Sequence, residues 1–413
     1  MNRLLNFSIK MYSSKIMRII QNTLKMMFPI VLLGSFAEVI KITFLTSSGY
    51  IATLFKVTEW LPFHSDLAWI MGVIYHCTID MIALYGAFGA AHFTAKEYGK
   101  KTSIAGALGL VAFLIISYQP TGVGMPDFNH QLMSEGLLIA LIVGYFCGRI
   151  TVFLVDAKKE ELFQMIKPAS IVIVLASILN MLLGLIGKLE IPTYVAGFVM
   201  QHSQTNALFY VLGMGILTNL LSWMAIGGPF LNGPSVSDAP SLANMNAALK
   251  SGSAWNVPFK FTDTTLYHSF ANFGGTGVIL ALIIAILIFS KRTDKRLVSK
   301  WSIFPAIFNN NYPMMLGLPI LFNPIYLIPF LIAPLVNMLL AALLLWLRWI
   351  PAAAYPVPLG MPGPLIAFIG TNGNWLTLIF GVFLIFVDVL IYIPFVKLAD
   401  EITEEVGQSN EEI

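Results

Sequence analysis

Three stretches of this chain, residues 191–237, 301–347 and 349–387, contain no Asp, Glu, Lys or Arg. Each exceeds the roughly 20 apolar residues that a helix needs to cross the hydrocarbon core of a bilayer. A soluble domain carries about 25% charged residues. Here only 11% of 413 residues are charged and 57% are hydrophobic. In lipid every backbone N–H and C=O must be satisfied within the protein, which favours helices as the spanning elements. The expected fold class is an all-α integral membrane protein with about ten transmembrane helices plus re-entrant hairpins and interfacial helices. Its 22 prolines and 32 glycines point to interrupted, transport-type helices. The net charge of +3 comes from residues beside spans, so the implied partner is the lipid bilayer and no nucleic acid is expected.

Charge placement orients the chain. Arg3, Lys10, Lys15, Arg18 and Lys25 precede the first span, and no acidic residue comes before Glu38. The positive-inside rule puts this N-terminus in the cytoplasm, and no cleavable leader is apparent. Spans over about 27–46, 67–92, 103–119, 136–155 and 169–187 alternate with loops, of which 96–101 and 156–167 are charged and cytoplasmic. The basic loop 291–300 then requires an odd number of crossings after residue 187, so part of that interval does not span. The Gly/Pro-rich stretch 227–261 suits a re-entrant or surface loop. Next come a broken segment (303–321), a span (324–347), a second broken segment at PVPLGMPGP and a last span (376–396). The expected division is a five-helix scaffold half over 1–190, a substrate-binding half with broken helices over 191–400, and an acidic cytoplasmic tail over 401–413; that the first half also dimerises is what the resemblance described below implies.

Residues 308–324, FNNNYPMMLGLPILFNP, have the character of a binding-site floor. Asn309, Asn310 and Asn311 open an uncharged tract broken by Pro313, Gly317, Pro319 and Pro324. Amides beside broken backbone at membrane depth are tolerated where they line a cavity. A carboxamide donates and accepts at once, which suits a ligand with adjacent hydroxyls; capping of broken helix ends is the other use. Gly274 and Gly275, followed by Thr276 and Gly277, either bring backbone amides to an oxygen ligand or permit a close helix crossing. His268, just before them, is a ligand candidate or a packing residue. His76 and Asp80 stand four apart in the second span, as a proton or polar relay or as a structural pair.

Other polar groups read more plainly. Glu38 and Lys41 are expected to pair near the outer surface, and Asp388 is a lone acid in the last span. Trp223 and Trp375 suit ring stacking or an interfacial belt. Cys77 and Cys147 lack any CxxC spacing and read as small buried hydrophobes. There is no metal-ligand spacing, nucleotide-binding glycine loop or nucleophile elbow, so no metal and no cofactor is expected.

FNNNYPMMLGLPILFNPIYLIPFLIAPLVN resembles the signature of the enzyme IIC (permease) component of the phosphotransferase system, in its lactose/cellobiose/diacetylchitobiose family. FTDTTLYHSFANFGGTGVILAL, LTNLLSWMAIGG, PVPLGMPGPLIAFIGTNGNW and YIPFVK extend the resemblance over nearly the whole chain. It implies a homodimer in the bacterial inner (cytoplasmic) membrane, joined through first-half helices. A sugar substrate would enter from outside, be phosphorylated on a hydroxyl by a separate phosphorylated IIB component, and leave as sugar phosphate.

The family places Glu in an Asn-Glu-Pro triplet and His in an Ile-His-Gly triplet. This chain has Asn311-Tyr312-Pro313 and Ile226-Gly227-Gly228, so neither family position offers a catalytic residue. A tyrosine phenol, with a pKa of about 10, is a poor base at neutral pH, yet it can donate a hydrogen bond and stack on a sugar face. The substrate-binding set implied is Asn309, Asn310, Asn311, Tyr312, Gly227, Gly228, His268, Gly274 and Gly275. The function implied is a permease for a β-disaccharide or related glycoside, classically coupled to phosphorylation. The alternatives are a IIC-derived carrier or binding protein that no longer phosphorylates its substrate, and a transport-inactive receptor. Whether the chain is an enzyme stays open between them.

Overall fold

The computed structural model describes residues 10–12, 14–99, 103–119, 132–155, 163, 166–187, 208–231 and 239–411. Much of the loops 118–129 and 156–167, the interval 188–207, the stretch 232–238 and the end of the acidic tail lie outside the described residues. Among the described residues six helical stretches are long and apolar enough to cross a membrane, and three shorter apolar helices accompany them. Among the described residues there is no strand, only an isolated bridge between Gly49 and Leu359. This is a multi-pass, all-α membrane protein.

The chain forms two compact units, one of Met1–Val31 with His76–Tyr194 and the other of Leu32–Tyr75 with Val195–Ile413. The boundary cuts helix α1 (Lys15–Val39) and helix α2 (His64–Thr78). The first unit continues with α3 (Ile82–Glu97), α4 (Ser103–Ser117), α5 (Leu137–Leu154) and α6 (Ile166–Gly187).

Small residues hold that unit together. Ala83, Ala87 and Ala91 of α3 meet Ala112 of α4, Ala140 and Cys147 of α5 and Ala176 of α6 in one buried cluster. A Cβ on Gly144 would stand 2.5 Å from the Ala87 carbonyl oxygen, and one on Gly148 would stand 2.8 Å from that of Ala91. Backbones this close gain dispersion contact that bulkier residues would forbid, which is how helices associate where lipid removes the hydrophobic drive. Hydroxyls here return to their own helix: Thr94 donates to the Ala90 carbonyl at 2.6 Å and Thr151 to that of Cys147 at 2.8 Å. Cys147 is buried as expected, whereas Cys77 is exposed; it sits near the end of α2, on a turn that the unit's small-residue cluster does not cover.

The second unit contains α7 (Leu208–Trp223), α8 (Ala239–Ser251), α9 (Ile279–Phe289), α10 (Thr293–Ile307), α11 (Tyr312–Gly317), α12 (Pro324–Trp346), α13 (Gly363–Gly370) and α14 (Trp375–Glu411). Helix α8 lies inside the stretch 227–261, because LANMNAALK holds no breaker even though glycine and proline flank it. Asn244 fastens it, donating to the Phe259 carbonyl at 2.6 Å and accepting from the Phe259 amide at 2.9 Å.

Interruptions in this unit have local causes. Helix α10 closes on Asn309, whose φ of 65° is left-handed. The Asn309 amide reaches the Ala306 carbonyl and the Asn310 amide that of Pro305, each at 3.0 Å. This is the Schellman arrangement, in which asparagine substitutes for the usual glycine. Asn372 ends α13 in the same way, with φ 61°. Asn323 starts α12, its side chain accepting from the Ile325 amide at 3.1 Å ahead of Pro324, the arrangement that suits both residue types.

Two buried polar links tie the unit together. Asn337 in α12 donates to the Asp388 carboxylate of α14 at 2.8 Å and to the Phe270 carbonyl at 3.0 Å. Lys295 in α10 pairs with Asp400 at 2.8 Å, and Asp400 also accepts from the Ser290 hydroxyl and the Lys291 amide. Burial pushes the Lys295 ammonium below its ordinary pKa, and the neighbouring Asp400 pulls the other way.

Candidate functional site

Where α10 breaks before α11, the second unit encloses a polar cavity of about 210 Å³. The three asparagines divide the labour there. Asn309 is a brace: it accepts from the Gly274 amide at 3.0 Å and donates to the Met361 carbonyl at 2.9 Å, joining two further interrupted segments. Asn311 donates to the Thr276 hydroxyl at 2.8 Å. Gly275 makes that approach possible. Its φ is 93°, and a Cβ would stand 2.8 Å from the Asn311 side chain, so both backbone angle and space demand glycine. Asn310, between them, accepts from the Tyr312 amide at 3.2 Å and donates to Glu38 Oε2 at 2.5 Å.

Glu38 is the residue that sequence reasoning missed. Lys41, its expected partner, sits with Nζ 5.5 Å from the Tyr75 ring centroid, a cation–π position. The Glu38 carboxylate lies instead on the cavity wall against Asn310. Aromatic contacts place it there. Phe36 stacks on Phe304 at 5.0 Å and Phe44 meets Phe308 edge-on at 6.3 Å, clamping the end of α1 to α10 on either side of Glu38. Immediately after, the helix loosens into a π-helical stretch, Ile40–Leu45, a geometry that recurs at functional sites. Thr43 then donates to the Gly360 carbonyl at 3.4 Å, and the Tyr50 amide to that of Leu359 at 2.9 Å.

The remaining candidates are placed as follows. Asn309, Asn310, Asn311, Tyr312 and Gly275 come together on the cavity wall. Gly274 adjoins it, with its amide already engaged by Asn309. Gly227 (φ 86°) and Gly228 lie in the turn after α7, where Gly228 packs on Thr218; Leu231, three residues on, reaches the wall. His268 is buried off the wall, edge-on to Tyr267 with Nε2 4.0 Å from Asp263. His76 and Asp80 pair at the junction of α2 and α3 in the first unit. Among the described residues no cluster has a metal-binding donor set.

A larger cavity of about 540 Å³ lies between Ile40, Phe44, Trp60, Met71 and Phe304. Its lining is apolar throughout, so it offers nothing to orient hydroxyl groups. The smaller cavity carries carboxamides, hydroxyls and one carboxylate, and chemistry decides for it over size.

Interrupted helices around a polar cavity are the arrangement in which membrane transporters hold their substrates. Residues 21–334 match the family described as phosphotransferase system, EIIC. The chain is 24% identical over 432 residues to the oligo-beta-mannoside-specific EIIC component of Bacillus subtilis (strain 168), covering 95% of this chain and 91% of that protein. It is 24% identical over 387 residues to the lactose-specific EIICB component of Staphylococcus aureus (strain N315), covering 86% and 67%. The crystal structure of ChbC, the IIC component of the N,N'-diacetylchitobiose-specific phosphotransferase system, aligns over 96% of this chain and 97% of its own, at 24% identity and a TM-score of 0.43. The chain belongs to the phosphotransferase-system EIIC family. It is a membrane permease component, of a kind that works with a sugar and a IIB component.

Proposed function

We propose that this protein takes up a β-linked disaccharide or related glycoside, holds it in the Asn309–Tyr312 cavity, and presents a hydroxyl to phosphorylated IIB. The observation that carries this reading is the cavity wall, where Asn310, Asn311, Thr276 and Tyr312 bring donors and acceptors together beside the Phe308 ring. Such a wall suits a molecule with hydroxyls around its edge and apolar C–H faces. The oligo-beta-mannoside and lactose relatives named above support the β-glycoside class. The volume is below the roughly 300–1,000 Å³ of drug-sized sites, which suits one sugar ring inside with the remainder beyond the mouth.

In this reading residues 191–400, joined on the cavity wall by Glu38 and Thr43, bind substrate and the rest of 1–190 serves as scaffold and dimerisation half, with the N-terminus on the cytoplasmic side of the bacterial inner membrane. Pairing of two copies through the first-half helices follows from the family resemblance. Native mass spectrometry in mild detergent tests that pairing, with a monomer as the contrary result.

Labelled cellobiose, lactose and diacetylchitobiose, offered to proteoliposomes with and without phosphorylated IIB, test the transport reading. Sugar phosphate formed only with IIB is the expected result. Unmodified sugar equilibrating regardless of IIB would overturn the coupling, and no binding of any β-glycoside would overturn the substrate class.

A further inference from the structure

We propose that Glu38 is the catalytic base of this permease: its carboxylate takes the proton from the sugar hydroxyl that receives the phosphoryl group. The proposal rests on the reading of the Asn309–Tyr312 cavity as the glycoside site. Three observations carry it. Glu38 is the one carboxylate on the cavity wall among the described residues. Its orientation is fixed, because Asn310, itself 7% exposed, donates to Oε2 at 2.5 Å. It also retains partial exposure within a cavity whose other walls are amides, hydroxyls, rings and the aliphatic chains of Val39, Ile42 and Leu231.

The chemistry calls for such a group. The family resemblance implies a IIB phosphorylated on cysteine, so transfer breaks an S–P bond and forms an O–P bond to the sugar. The sulfur leaves with the bonding electrons as a thiolate on IIB. The attacking hydroxyl must lose its proton, and a positioned acceptor lowers that barrier. A glutamate side chain is ionised at neutral pH whereas a tyrosine phenol keeps its proton. Glu38 is therefore the carboxylate on the wall that can take a proton, and the Tyr312 phenol is among the groups there that can donate to the sugar. Asn310 links them, since its amide holds Glu38 while its carbonyl accepts from the Tyr312 backbone. The proton ends on a Glu38 carboxylate oxygen and returns to water when sugar phosphate leaves.

Glu38→Gln and Glu38→Asp in proteoliposomes, supplied with phosphorylated IIB and whichever labelled β-disaccharide the wild type binds, test this. Glu38→Gln keeps shape and the contact to Asn310 but cannot take a proton. Binding should change less than about threefold while sugar phosphate formation falls at least about 100-fold, the lower range for loss of a general base. Glu38→Asp should recover part of the rate. The wild-type rate should fall as pH drops through the carboxylate range, and that limb should vanish in Glu38→Gln.

Glu38→Gln turning over within threefold of wild type, with an unchanged pH profile, would overturn the proposal alone. Loss of binding in step with loss of rate would make Glu38 a binding residue and overturn it as well. Wild-type protein that binds a β-disaccharide yet forms no sugar phosphate would overturn the coupled reading and the proposal with it.

Discussion

The two units solve the same problem, a backbone dissolved in lipid, by opposite means. The first keeps its helices whole and presses them together on Ala87, Ala91, Gly144 and Gly148. The second breaks its helices and repairs the breaks with side-chain amides at Asn309, Asn311, Asn323 and Asn337. Whole helices satisfy their own backbone, and among the described residues the polar cavity is lined by the second unit. Broken ones expose amides and carbonyls that must be answered by side chains, and those side chains form a polar wall. The cost of interruption and the capacity to bind a polar solute have one origin.

The contrast predicts where each unit is fragile. The largest effect is expected from Asp400→Ala, which strands the buried Lys295 ammonium; breaking such a pair costs about 3–5 kcal/mol. Unfolding measured in detergent should show that loss, and Lys295→Met in the same chain should restore most of it. Next comes Gly144→Leu in the first unit. Its side chain has no room against Ala87, and overpacking of this kind costs about 1–3 kcal/mol or more. Asn309→Ala should cost about 2–3 kcal/mol, from two lost bridges and an alanine held at positive φ. Asn309→Gly relieves the backbone but not the bridges, so a stability midway between the two separates brace from cap. The smallest effect belongs to Asn180→Ala, about 1 kcal/mol, since its amide serves only the Ile116 and Tyr118 carbonyls. An Asn180 effect as large as that at Asn309 would break the contrast.

The spans and their breaks were legible because their causes are local. Charge-free runs mark helices in lipid, and Asn309, Pro313, Pro324 and Gly363 stand where helices stop or start. The meeting of Glu38 with Asn310 was not legible. The two are 272 residues apart, and the nearby Lys41 offered an obvious local partner. What redirects Glu38 is the pair of ring contacts from Phe36 and Phe44 to α10, which no periodicity announces. Helix α8 was hidden for the converse reason, because its flanking glycines and prolines dominate a reading of 227–261. The exposure of Cys77 had a local sign in its polar neighbours His76 and Thr78, whereas Phe146 and Gly148 flank buried Cys147.

The most direct test of the account is equilibrium binding of a labelled β-disaccharide to purified wild-type, Asn310→Ala and Asn180→Ala protein. If the broken-helix cavity is the sugar site, Asn310→Ala weakens binding at least tenfold, about 1.4 kcal/mol, and Asn180→Ala stays within twofold. Wild-type affinity in Asn310→Ala, or an equal loss in both variants, would contradict it.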